Sequence, residues 1–146
     1  MVSGLGDMGL CQALAAVGSA IGAGIAGMAA IGAWKRVFMQ NKAAPFVLVA
    51  FAAAPLTQTI YGMILRNAIQ NANWAPESYI YQMILGAFAG AAIGISAIAQ
   101  GQCAAKACDA FGETGKGFGN NMMILGLTET VAIFVLVFTM MALPKM

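Results

Sequence analysis

Apolar residues fill four long stretches of this chain, Met8 to Trp34, Ala43 to Leu65, Ser78 to Ala105 and Gly117 to Pro144, and the charges collect between them. Each stretch exceeds the roughly 20 apolar residues a helix needs to cross a bilayer. A backbone in lipid must satisfy its own hydrogen bonds, and a helix does so within itself. The pattern predicts four transmembrane helices. The segment from Arg66 to Glu77 separates the second from the third and holds the turn formers Asn67, Asn71 and Asn73 and the helix-opening Pro76. The chain reads as one membrane domain, 1–146, made of two helical hairpins, 8–66 and 74–146.

Composition agrees with that reading. Of 146 residues, 61% are hydrophobic and 8% charged, against about 25% charged in soluble domains, so the fold class is an all-α membrane protein. The net charge of +2 is small and dispersed, which excludes a nucleic-acid partner. Cys11, Cys103 and Cys108 lack metal-ligand spacing and cannot all pair within one chain; they read as small apolar fillers. Asp7 stands where a secretory signal would carry a basic cluster, so the first stretch is expected to remain as a helix. Gly4-Leu5-Gly6-Asp7-Met8-Gly9 fits a dinucleotide glycine pattern, but no strand precedes it. Gly112-Glu113-Thr114-Gly115-Lys116-Gly117 is too short for a phosphate loop and has Gly117 in place of the magnesium-binding Ser or Thr. It reads as a turn and a contact surface, and the chain holds no catalytic site.

The two hairpins are copies. Gly18-Ser19-Ala20-Ile21-Gly22 recurs as Gly90-Ala91-Ala92-Ile93-Gly94, and Leu56-Thr57-Gln58-Thr59-Ile60 recurs as Leu127-Thr128-Glu129-Thr130-Val131. Both copies cross in the same direction, which argues against an inverted-repeat transporter. Small residues recur every four positions in the first helix (Gly18, Gly22, Ala26, Ala30) and in the third (Gly86, Gly90, Gly94), with Ala97 and Gly101 continuing that thin face. Such faces let helix backbones approach closely. The fourth helix is bulky, with Ile124, Leu125, Leu127, Ile133, Phe134, Leu136 and Phe138, as an outward helix would be. Two thin helices inside and two thick ones outside form a wedge, and wedges close into rings.

Orientation follows from the basic residues. The first and third loops are assigned Lys35, Arg36, Lys42, Lys106 and Lys116, and the opposite side Arg66 and Lys145. The positive-inside rule then places loops 35–42 and 112–119 in the cytoplasm and both termini outside. Trp74, Tyr79 and Tyr81 are expected at the outer interface and Trp34 at the inner one.

Glu129 carries the chemistry, being the one charge inside an apolar stretch. A charge near mid-membrane costs roughly 2.5 to 3.5 kcal/mol on insertion scales, so something must offset it, and its occupancy can respond to the ion or proton supply on either side. With the third turn at Gly112 to Gly119 and its centre near Thr114, Gln100 and Glu129 fall at the same depth. They can share a ligand or bond each other, or Gln100 can satisfy a backbone group. Pro55 removes a helical bond and frees a carbonyl, which a membrane tolerates where that carbonyl lines a site. Thr57, Gln58 and Tyr61 share roughly one face beside it. By the repeat, Gln58 holds the position of Glu129, so the first copy has lost its charge.

In these residues the chain resembles the duplicated four-helix proteolipid of V-type and A-type ATPases, the K or c subunit of the membrane rotor. The resemblance covers nearly the whole chain and is carried by Pro55 to Gln58 with Tyr61, by Ile98-Ala99-Gln100-Gly101, and by Thr128-Glu129-Thr130. It implies that Glu129 carries the ion. Sodium-carrying members imply further that Thr57, Gln58, Gln100 and the Ala54 carbonyl ligate Na+, with Tyr61 bonding the glutamate; H+ is the alternative, and no organic cofactor is expected. Family members often place Gly between the proline and the threonine, where this chain has Leu56. The implied partners are identical subunits in a ring, a stator membrane subunit, central-stalk subunits at the cytoplasmic loops, and the bilayer of a cell membrane, or of a vacuolar-type membrane in a eukaryote. A small carboxylate-driven multidrug antiporter is the rival reading; it would need an aromatic chamber, whereas Glu129 keeps company with Thr, Gln and small residues.

Overall fold

The computed structural model describes residues 6–144, and every regular element among them is a helix. Helix α1 spans Leu10–Met39, α2 Leu48–Ala53, α3 Thr57–Asn71, α4 Tyr79–Thr114 and α5 Phe118–Ala142. A single 3₁₀ turn, Ala54–Leu56, joins α2 to α3, so these two form one kinked crossing, Leu48–Asn71. The kink sits at Pro55, which lacks the N–H an unbroken helix would use. Four helices are thus long and apolar enough to cross a membrane, and the chain is a multi-pass membrane protein. Lys145, Gly4 and Leu5 lie outside the described residues.

Several boundaries differ from the expectation. Helix α1 continues to Met39 and α4 to Thr114, so Lys35, Arg36 and Lys106 are helical, not loop residues. Arg66 and Asn67 likewise lie within α3. The cause is backbone hydrogen bonding, which does not stop where apolar composition does. At about 1.5 Å per residue, α4 runs to roughly 54 Å, well beyond a hydrocarbon core of about 30 Å, so it projects from the bilayer. The third turn is Gly115–Gly117, narrower than 112–119, and both glycines take the left-handed conformation (φ 65° and 83°) that ends α4 and opens α5. The first turn closes at Asn41 (φ 53°), with the Lys42 N–H donating to the Val37 carbonyl, and the Trp34 indole N–H ties this loop down by donating to the Pro45 carbonyl at 2.9 Å.

The other end of α1 is set by Asp7, a residue that in sequence only argued against a signal. Its carboxylate is buried and accepts the backbone N–H groups of Gly9 (3.0 Å) and Cys11 (2.7 Å). An acidic group there meets both the orphan donors and the dipole of the helix N-terminus.

Helices α1 and α4 run parallel along their small-residue faces. A Cβ on Gly18 would overlap the backbone of Gly94, and one on Gly101 the backbone of Gly22, so the two backbones touch where only glycine fits. The kinked crossing and α5 flank this seam. Two apolar clusters result: one holds Leu48, Phe51, Ala104, Cys108 and Leu125, the other Leu65, Ile69, Ala89, Ile93, Ala132 and Leu136. Leu125 and Leu136 therefore face inward, while Ile124, Leu127, Ile133, Phe134 and Phe138 are exposed as an outward helix requires. At the tips, Arg36 of α1 pairs with Asp109 of α4 at 2.7 Å; this bond is exposed and contributes little.

The seam makes a testable demand. Gly18→Val should destabilise the protein by about 1–3 kcal/mol or more, because a backbone cannot rotate away as a side chain can. Gly27→Ala, whose Cβ meets nothing within 4 Å, should be neutral or stabilising by up to about 1 kcal/mol. Equal thermal stability of the two variants in detergent would contradict the packing.

Candidate functional site

Between the two apolar clusters lies a polar layer built from the kinked crossing, α4 and α5. Pro55 and Gln58 are buried on the face that the crossing turns toward the α1–α4 seam, and Gln100 is buried on α4. The Gln58 carboxamide donates to Gln100 Oε1 at 2.8 Å. The Gln100 carboxamide donates in turn to the Leu125 carbonyl (2.9 Å) and to Glu129 Oε2 (3.3 Å). Gln100 thus does both things its position allowed, bonding the glutamate and satisfying a backbone group.

On the far side of the carboxylate, the Tyr61 hydroxyl donates to Glu129 Oε1 at 2.6 Å. The Thr57 hydroxyl lies 3.1 Å from the Ala54 carbonyl and 3.1 Å from Gln58 Oε1, both acceptors. In the 3₁₀ turn the Ala54 carbonyl accepts the Thr57 backbone N–H, and the Thr57 hydroxyl lies beside the same oxygen. All six residues singled out in sequence, Ala54, Thr57, Gln58, Tyr61, Gln100 and Glu129, join one connected set of hydrogen bonds. The turn lies at Gly115–Gly117 rather than around Thr114, which shifts the equal-depth estimate, yet Gln100 and Glu129 still meet.

Glu129 itself is half-buried on the flank where α3 and α5 meet. Among the described residues, no Lys or Arg nitrogen comes within 4.0 Å of its carboxylate. Its charge is met by hydrogen-bond donors alone. Around it the Ala54 carbonyl, Thr57 Oγ1, Gln58 Oε1 and Gln100 Oε1 supply neutral oxygens within the same network. Such a set suits a hard cation. With a single carboxylate it balances one positive charge, and a divalent ion would leave an excess in a low-dielectric layer.

One contributor went unread in the sequence. Ser96 donates to the Thr128 carbonyl at 2.7 Å, and with Gln100 one turn later it pins the backbone of α5 on either side of the carboxylate. The signal was present, since Ser96 and Gln100 are four apart on one face of a helix otherwise made of small apolar residues. Thr128 and Thr130 behave differently from their prominence in the motif. Their hydroxyls donate back to the carbonyls of Leu125 (2.8 Å) and Gly126 (2.7 Å).

Residues 83–142 match the family model that describes the C subunit of ATP synthase. The K subunit of the A-type ATP synthase of Methanocaldococcus jannaschii is 30% identical over 148 residues, a span that takes in 98% of this chain and 62% of that protein. The chain thus spans less than two thirds of the length of this curated relative. The matched segment contains Ser96, Gln100 and Glu129, so the α4–α5 half of the polar layer falls inside it. Through its second hairpin, the chain is thus similar to the C subunits of ATP synthases.

Proposed function

We propose that this chain is the ion-carrying subunit of the rotor ring of a V/A-type rotary ATPase, with Glu129 binding Na+ as the transported ion. The observation that carries this reading is a carboxylate inside a membrane-spanning helix, held by Tyr61 and Gln100, with no basic partner among the described residues and neutral oxygens gathered beside it. A transported cation offsets the cost of that charge. Thr57, Gln58, Gln100 and the Ala54 carbonyl serve as its remaining ligands. H+ is the alternative cargo; it needs only the carboxylate and Tyr61, and would leave the oxygens around Gln58 without a purpose.

The subunit is non-catalytic. Identical copies close into a ring, the thin α1 and α4 lining its inner side and the kinked crossing and α5 its outer side. An ion entering from a stator half-channel binds Glu129 and neutralises it, so that the loaded site can face lipid as the ring turns. Each elementary charge moved is worth about 2.3 kcal/mol per 100 mV, which lets successive sites exchange ion flow for torque during ATP hydrolysis or synthesis. The turns near Lys42 and Lys116, with Lys35, Arg36 and Lys106 on the projecting helix ends, face the cytoplasm and meet the central stalk; Arg66 lies at the opposite end. The antiporter alternative is not favoured, because nothing aromatic except Tyr61 hydrogen-bonds the carboxylate.

In membranes containing the assembled complex, a hydrophobic carbodiimide should label Glu129, and Na+ at fixed pH should suppress the labelling. Labelling indifferent to Na+ would leave H+ as the cargo. Glu129→Gln should abolish ATP-coupled ion transport, and undiminished transport by that variant would end the rotor reading. Tyr61→Phe removes a hydrogen bond to a charged acceptor, worth about 1.5–3 kcal/mol. The Na+ concentration for half-protection should then rise roughly tenfold or more, and an unaltered midpoint would remove Tyr61 from the site.

A further inference from the structure

One side chain beside the polar layer has no partner. Ser19 is 2% exposed, and its hydroxyl is the one buried side-chain oxygen or nitrogen without a hydrogen bond among the described residues. Its depth follows from the packing of α1 against the kinked crossing. A Cβ on Gly62 would meet Ala15, and a Cβ on Gly22 would meet both Pro55 and Ala97. The two helices are antiparallel, so moving four residues from Ala15 to Ser19 on α1 matches moving four back from Gly62 to Gln58 on the crossing. Ala15, Ser19 and Gly22 form the buried stripe on one side, and Pro55, Gln58 and Gly62 the buried stripe on the other. Ser19 therefore lies level with Gln58, at the seam into which the Gln58 side chain is turned.

Gln58 has donor capacity to spare. Its carboxamide nitrogen carries two hydrogens, and one of them is directed to Gln100 Oε1. That oxygen is among the ligands required of the cation site. An amide N–H aimed at an oxygen already holding a cation places positive charge against positive charge in a low-dielectric layer. Loading the site weakens that hydrogen bond, and a second acceptor within reach lets the Gln58 nitrogen move off Gln100 without being left buried and unsatisfied.

We infer that Ser19 Oγ is that acceptor: Gln58 donates to Gln100 when the site is empty and to Ser19 when the cation is bound. Ser19 is then a positioning residue, acting on the ion through Gln58. The inference rests on the sodium reading above. The second copy of the repeat supports tolerance of a test substitution, since Ala91 stands where Ser19 stands in the first.

The test is carbodiimide labelling of Glu129 in membranes bearing the complete complex, titrated with Na+ at fixed pH and with pH in the absence of Na+. In Ser19→Ala the Na+ concentration for half-protection should rise about three- to tenfold, while the Na+-free pH profile superimposes on that of the unaltered protein. If the alanine variant does not assemble, Ser19→Cys keeps the volume with a poorer acceptor and should shift the same midpoint in the same direction. A midpoint that does not move overturns the role of Ser19, as does a parallel shift of the midpoint and the pH profile, which would report general loosening. Loss of Na+ protection from the unaltered protein would instead overturn the sodium reading, and this inference with it.

Discussion

A carboxylate placed within a membrane-spanning helix, with no Lys or Arg nitrogen within 4.0 Å among the described residues, is the constraint on which the other features of this chain depend. Hydrogen bonds from Tyr61 and Gln100 hold Glu129 in place, but donors alone do not cancel a charge that costs roughly 2.5 to 3.5 kcal/mol to place there. A neighbouring lysine or arginine would have solved that problem permanently, and would have left nothing for a mobile cation to do. The chain instead sets neutral oxygens in the hydrogen-bond network that holds the acid. In the proposed function a visiting cation supplies the missing positive charge, which suits the site to transport.

The depth of the layer is fixed far from the acid, along the glycine seam of α1 and α4. Gly18 against Gly94 and Gly22 against Gly101 bring the two backbones into contact at this register, and a Cβ added to any of the four would overlap backbone of the other helix. That register carries Gln100 to the height at which the crossing presents Gln58. The 3₁₀ turn at Pro55 then sets the rotation of α3, so that Thr57, Gln58 and Tyr61 all approach the layer. Ser96 and Gln100 complete the registration by gripping the Thr128 and Leu125 carbonyls of α5. The position of the acid is therefore a consequence of backbone contacts, with an apolar cluster on either side of the polar layer.

Hydropathy and repeats alone made much of this legible. Four crossings, the thin faces of the first and third helices, and the meeting of Gln100 with Glu129 follow from apolar runs, four-residue spacing and the place of the last turn, whereas the approach of Gln58 and Tyr61 to that pair was implied only by the resemblance to rotor proteolipids. Helix ends did not follow, because Lys35, Arg36 and Lys106 mark where the chain becomes polar while their backbones continue to hydrogen-bond as helix. The cap formed by Asp7 was hidden for a related reason: a lone acid near an apolar stretch carries no record of whose N–H groups it will meet. Thr128 and Thr130 misled in the other direction. They flank the acid in sequence, but on a helix adjacent residues diverge by about 100°, so their hydroxyls turn back to their own carbonyls. Ser96, four residues from Gln100, carried more information about the site than either.

The duplication also explains why a chain with two copies of one hairpin has one acid within its membrane-spanning stretches. Gln58 stands at the repeat position of Glu129 and has the same reach without the charge. Had it remained an acid, the two carboxylates would have met across Gln100 in one layer, and two like charges at that depth would have favoured a shared proton over a freely exchanging cation. As an amide, Gln58 can donate to Gln100 and offer its own oxygen, both of which an acid in its ionised form cannot do. In the proposed function, this substitution turns a second carrier into a ligand of the first. In the proposed ring, this leaves one transported charge for every four helices, so a circumference of given size moves fewer ions per turn and each ATP-driven step is matched to a steeper ion gradient.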